Sequence, residues 1–395
     1  MPPSPVHPVR MTVLSALYTA RIPARAFCAL GVFWGSFAAL VPRLKGDLGV
    51  SDAAFGLILL GSACGLVMAL WLAPRVDARL GPRGLPIVTA ALACVLLLPG
   101  VVQGPALFFA MMIALGGVSG LLDVLMNARV SELEQASARS LMNASHGAFS
   151  LAYAVAALLT GLGREAGFAP LTLLGAGAAV ILLLAPSLSI GPQAGKADPG
   201  AGAPSPAFWP VALCGAVVLV AFTTEATVEG WSALHVERTL GGGAAEGALG
   251  PAMLGLTMAV GRFSGQVVAE RLREWQVMVA ASLLACAGAL VVAAAASPPV
   301  AYLGFAAVGL GISVIGPMGL ALAGKLVPPH QRTAAIARVA AIGFCGFFMA
   351  PALMGLTSQA VGLSAAFAGV ALLVLCAAPL AVLLGRLQHE KSLLL

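Results

Sequence analysis

From residue 84 to residue 128 the chain reads GLPIVTAALACVLLLPGVVQGPALFFAMMIALGGVSGLLDVLMNA, with one charged side chain, Asp123, in the whole stretch. Away from water, a backbone must satisfy its own hydrogen bonds, which in a bilayer leaves helices or a closed barrel. Ten-residue segments of alternating hydropathy are missing, which removes the barrel. Helices of about 20 apolar residues remain. The same texture covers all 395 residues: 60% are hydrophobic and 9% charged, against roughly 25% charged in soluble domains.

Apolar runs bounded by turn or charge clusters predict twelve spanning helices. Their limits are about 26–42, 53–74, 84–102, 105–128, 141–162 and 167–186, then 208–234, 248–269, 275–296, 299–324, 333–356 and 363–385. The Lys/Arg bias of the connections orients them. With the N-terminus in the cytoplasm, only Arg43, Lys45, Arg164 and Arg238 fall outside. The other 17 of the 21 basic residues, Arg129 and Arg262 among them, fall inside. Both termini are then cytoplasmic. The Pro-rich, basic start lacks the short apolar core and cleavage site of a removable signal, so the first helix is expected to stay.

Between the sixth and seventh helices, SLSIGPQAGKADPGAGAPSP reads as a flexible linker. The domain expectation is residues 1–186, a cytoplasmic linker at 187–207, and residues 208–395. The halves echo each other: ALGGVSGLLDVLMNA (114–128) aligns with AVGLGISVIGPMGLA (307–321), setting Gly116 over Gly309. The expected fold class is an all-α polytopic membrane protein, twelve transmembrane helices in two pseudo-symmetric six-helix bundles, with substrate bound where the repeats meet.

Three passages carry a family resemblance. LAPRVDARLGPRG (72–84) is similar to the Gly-Asp-Arg-Gly-Arg loop of the major facilitator superfamily, with an altered Asp-to-Gly spacing. DVLMNARVSELE (123–134) followed by SHGAFS (145–150) resembles a bacterial branch related to the fucose-permease-type sugar transporters. VEGWSALHV (228–236) and AAIGFCGFFMAPALMG (340–355) resemble helices seven and eleven of that branch. The resemblance implies a transporter without naming its cargo. It also implies that Arg75, Asp77, Arg79 and Arg83 gate between helices two and eleven, beside their ordinary role as positive-inside charge.

An ionisable side chain in hydrocarbon costs at least about 2.5–3.5 kcal/mol on insertion scales, so such residues are shielded or used. Asp123 shares a helix face with Asn127, four residues on. In the fifth helix Asn143, His146, Ser150 and Tyr153 recur at helical spacing on one face. His146 is expected at the depth of Asp123, close enough to pair with it. Burial disfavours the charged form of both groups and pairing favours it, so a cavity that opens and closes would load and release a proton there. Asn127, Asn143, Ser150 and Tyr153 are candidate substrate contacts on the same faces; the plain alternatives are a fixed tie between helices four and five, or a simple charge at the helix boundary. In the seventh helix Glu225 and Glu229 lie four apart, with Trp231 just beyond and Gly230 as a point of bending. Glu225 is an alternative proton carrier; Glu229 and Trp231 are candidate substrate contacts, or an interfacial aromatic with surface carboxylates. Trp34 is a stacking platform for a ring or a packing residue.

Other classes find little support. No basic block interleaved with aromatics suggests nucleic acid. The seven cysteines form no C-x-x-C pair, so no metal, cofactor or disulfide framework is expected. GVSG (117–120) mimics an intramembrane serine protease, but Ser119 lies about 6 Å along the helix from Asp123, away from the depth of His146. A non-transporting sensor would need a signalling domain beyond Arg386, where only QHEKSLLL follows. The expectation is a non-enzymatic, monomeric, proton-coupled transporter in a bacterial-type inner membrane, moving a small polar, sugar-like solute. Export of amphiphiles is the alternative, though the fifth helix lacks the proline of drug antiporters.

Overall fold

The computed structural model describes residues 12–137, 139–192, 208–269, 272–328 and 331–393. Most of the expected linker (193–207, with Lys196), Arg10 and Arg271 lie outside the described residues. Among the described residues the chain is helical, without strands.

A short helix α1 (Val13–Thr19), capped by the Thr12 hydroxyl, leads into α2 (Arg21–Leu48). Gly49 ends α2 in the left-handed conformation (φ 62°), and the Ser51 hydroxyl accepts from Ala54 N to start α3 (Asp52–Leu80). Gly81, at φ 48°, stops α3 before α4 (Gly84–Leu96). There follow α5 (Pro105–Ser137), α6 (Met142–Glu165) and α7 (Pro170–Leu184). The second half holds α8 (Phe208–Leu234), α9 (Ala244–Ala269), α10 (Glu274–Ala294), α11 (Pro298–Lys325), α12 (Arg332–Leu375) and α13 (Ala377–Leu393).

Nine stretches of the described residues are long and apolar enough to cross a membrane. Two of these, Asp52–Gly100 and Ala334–His389, are double. The first breaks at Gly81. The second breaks inside α12 at Gly362 (φ 81°, ψ 164°), whose far arm continues into α13 as the last span. With α9, 26 residues long, the count reaches twelve, and the fold is two pseudo-symmetric six-helix bundles.

Small residues explain which helices touch. Gly31 and Gly35 of α2 lie against the α6 backbone at Phe149 and Tyr153, and Gly61 and Gly65 of α3 against α5 at Phe109 and Ile113. Two glycines four apart let helix backbones approach closely, which is how helices associate in lipid where burial of apolar surface gives no drive. The second half repeats the scheme: α8 packs on α12 through Gly343 and Gly346, and α9 on α11 through Gly309. Gly116 and Gly309, aligned by the sequence echo, each sit at the close approach of the equivalent pair, second with fourth span and eighth with tenth. The halves meet along α3 with α12 and α6 with α9, contacts that exchange when the halves are swapped.

The expected limits hold within two helical turns except at the ends of the fourth and last spans, the last running on to Leu393. The fourth span was drawn to end at 128 because Arg129 follows, whereas α5 continues to Ser137. Arg129 is only 2% exposed, held by Asp77 and Glu132 rather than by water.

Candidate functional site

Twelve spans put both ends of the chain on one face, here the terminal face; the other is the distal face. Between them, inside the bundle, Arg262 of α9 donates through Nη2 to Glu225 Oε1 at 3.0 Å and through Nη1 to the Ser150 hydroxyl of α6. Arg262 and Glu225 side chains are each 9% exposed. The contact joins the two halves, because Ser150 belongs to the first bundle and the ion pair to the second. Arg262, counted by the loop charge bias on the cytoplasmic side, is enclosed by this contact rather than free in a loop. A fixed guanidinium with donors in a fork suits such a position. The signal was present in the sequence: a lone Arg within the apolar run MLGLTMAVGRF.

Asp123 and His146 come to the same region without bonding to each other. Asn127 stands between them: its amide donates to Asp123 Oδ1 at 3.0 Å, and its Oδ1 lies 3.3 Å from His146 Nε2. In this structure Asn127 bridges the expected pair into a three-membered chain. A second amide contact, to the Asp123 carbonyl at 2.8 Å, fixes Asn127 on its own helix. Phe27 of α2 packs edge-on against the His146 ring at 4.7 Å.

The rest of the α6 face spreads over several partners. Asn143 lines, with Arg262, Phe263 and residues of α1, a small open cleft. Tyr153 is 1% exposed, pressed between the α2 glycines and Gly255 of α9, and its hydroxyl has no hydrogen-bond partner. In α8, Glu229 is half-buried and, among the described residues, makes no hydrogen bond or ion pair. Trp231 is fully enclosed and edge-on to Phe55 of α3 at 6.0 Å, a contact between the halves. Gly230 stays within regular α-helix; the departure comes later, in a π-helical turn at His235–Thr239. Trp34 is half-buried beside Phe33 and Phe37. Ser119 bonds to the Gly116 carbonyl of its own helix, so it forms no nucleophile–base pair with His146.

Of the four residues assigned to gating, Asp77 pairs with Arg129 of α5, inside its own half, and Arg75 donates to the Trp71 carbonyl. The Arg79 and Arg83 side chains add charge at the terminal face. Helices two and eleven touch at the distal face in this structure. There the Asp52 carboxylate receives Arg238 through both oxygens at 2.6 Å, Lys45 at 2.9 Å and the Ser358 hydroxyl. The Asp52 backbone N–H donates to Gln359 at 3.1 Å. Nearby Arg164 of α6 forms a two-pronged pair with Glu237 at 2.6 and 3.0 Å and reaches the Ala39 carbonyl. Sequence reasoning missed this cluster because its members looked like ordinary loop charges.

Residues 213–394 match the family model described as Major Facilitator Superfamily. An uncharacterised MFS-type transporter of Yersinia pestis is 31% identical over 357 residues, covering 89% of this chain and 92% of the relative. Among solved structures, a D-xylose-proton symporter is similar at a TM-score of 0.73 and 15% identity, over 94% of this chain and 97% of that one. A bacterial homologue of the human lysosomal transporter Spinster, inward-facing and occupied, is similar at 0.72 and 15% identity, over 93% and 96%. The solved structures speak for the fold, and the Yersinia relative, matched nearly end to end, for the family. By that match the chain belongs to the major facilitator superfamily.

Proposed function

We propose that the chain is a secondary active transporter that carries a small polar, sugar-like solute across a bacterial-type inner membrane, coupled to protons, by alternating access of its two halves. The observation that carries this reading is the interior contact in which Arg262 holds Ser150 of one half and Glu225 of the other. Ionisable groups this deep in a bilayer mark a solute or proton pathway. The terminal face is the cytoplasmic one, by its excess of Lys and Arg, and the chain works as a monomer related to the fucose-permease-type branch. The likeness to a D-xylose-proton symporter agrees with the solute class.

In the state described here the distal face is held shut by the Asp52 and Arg164 clusters, and the cleft beside Asn143 and Arg262 lies toward the terminal face. Rocking the halves breaks the distal pairs and hydrates the interior from the other side. Asp123, Asn127 and His146 form the proton-handling chain: when water enters, Asp123 or His146 exchanges a proton with it, and the Asn127 amide holds the two in register. Glu225 senses the same event through Arg262. The test is a panel of sugars offered to proteoliposomes that contain a trapped pH dye. Wild type is expected to move protons with at least one solute, and Asp123→Asn to bind it while moving none. Normal proton-driven accumulation by that variant would overturn the mechanism.

A further inference from the structure

The interior charges do not balance. Arg262 has one arm on Ser150 and the other on Glu225, so its charge is matched by Glu225. Glu229 lies one turn further along the same helix and has no bonded partner among the described residues. Four residues earlier on the same helix is Glu225, the carboxylate that Arg262 of α9 holds. On α6, Tyr153 lies one turn beyond Ser150, and its wholly buried hydroxyl has no hydrogen-bond partner. Two carboxylates, one guanidinium and an idle phenol therefore share one part of the bundle. Glu229, like Arg262, keeps part of its surface accessible, whereas Glu225 is buried.

A carboxylate left without a counter-charge in a low-dielectric interior is strongly disfavoured. It needs a proton or a cation. A neutral sugar supplies no charge and an anionic solute adds to the imbalance, whereas an ammonium group supplies both the charge and donors for Glu229 and the Tyr153 oxygen. We propose that the transported solute is a hydroxylated amine whose protonated nitrogen docks between Glu229 and Tyr153, displacing a proton from Glu229. This rests on the transporter reading above and narrows its sugar-like solute to one bearing an amine. Exchange of one monovalent cation for one proton leaves the interior charge unchanged, so both the loaded and the empty carrier can reorient.

The experiment uses proteoliposomes of the full chain with a trapped pH dye and offers ethanolamine, serinol and glucosamine, each beside its neutral N-acetyl twin, with glucose as a further neutral probe. At least one amine is expected to drive proton movement opposite to its own, while no twin does. Glu229→Gln is expected to lower the affinity for that amine by about tenfold or more, a change that takes only about 1.4 kcal/mol. Glu229→Asp should restore part of it, and both variants should elute as wild type. Titrating unbuffered, detergent-solubilised wild type with the active amine should release protons, and Glu229→Gln should release none. Equal or greater response to the neutral members overturns the amine while leaving the transporter reading in place. An unaltered amine response in Glu229→Gln overturns the docking site. Silence toward every member overturns the amine and the sugar-like reading together.

Discussion

At the scale of single residues, the interior depends on charges that hold one another. Arg262 and Glu225 are both largely enclosed, and removing one member of a buried pair leaves the other uncompensated, at a cost of about 3–5 kcal/mol, whereas replacing both with apolar residues is often neutral. Arg262→Leu is therefore expected to lower the melting temperature in detergent more than the double variant Arg262→Leu/Glu225→Leu does. A double variant as unstable as the sum of the singles would mean the two side chains are independent. Asn127 is the second such residue. Asn127→Leu keeps both Asp123 and His146 but removes the amide that touches each. It is expected to abolish solute-driven pH change in proteoliposomes with little loss of stability; retained coupling would show that Asp123 and His146 act separately.

At the scale of elements, glycine sets how close the helices come. A methyl group at Gly116 would overlap the Ser62 carbonyl of α3, a backbone atom that cannot swing aside, whereas one at Gly46 meets open space. Overpacking of this kind costs about 1–3 kcal/mol. Ala in a helix is favoured over Gly by about 0.5–1 kcal/mol. Gly116→Ala should therefore lower thermal stability in detergent, and Gly46→Ala should leave it unchanged or raise it slightly. Gly49, in the left-handed region, is a different case: it ends α2, and the side chain of any substitute is strained there whatever the space.

At the scale of the whole molecule, the distal clusters tie the two halves together. Asp52 gathers donors from α2, α12 and the π-turn after α8 around one carboxylate that is itself 5% exposed. Asp52→Asn removes the charge that holds Arg238 and Lys45 while keeping the shape. Spin labels at Asp47 and Gly241, both at exposed positions, are expected to show a longer distance population in that variant; an unchanged distribution would mean that helix packing alone holds the face shut. Much of this architecture was legible beforehand. The twelve spans follow from runs of apolar residues, because a bilayer demands a fixed length of self-bonded helix. Asp123, Asn127 and His146 could be brought to one depth by counting residues from the helix ends. Arg129 and Arg262 could not be placed that way. Loop charge bias says which side of the membrane a cation belongs to, and says nothing of one that a distant carboxylate holds inside. Arg129 stays buried because Asp77, 52 residues earlier, meets it. Arg262 sits between Ser150, 112 residues away, and Glu225, 37 away. The sequence by itself determined the helices, their number and their shared faces from local hydropathy; which charges meet across the two halves was decided only by tertiary packing, because an ion pair depends on distance in space and carries no period along the chain.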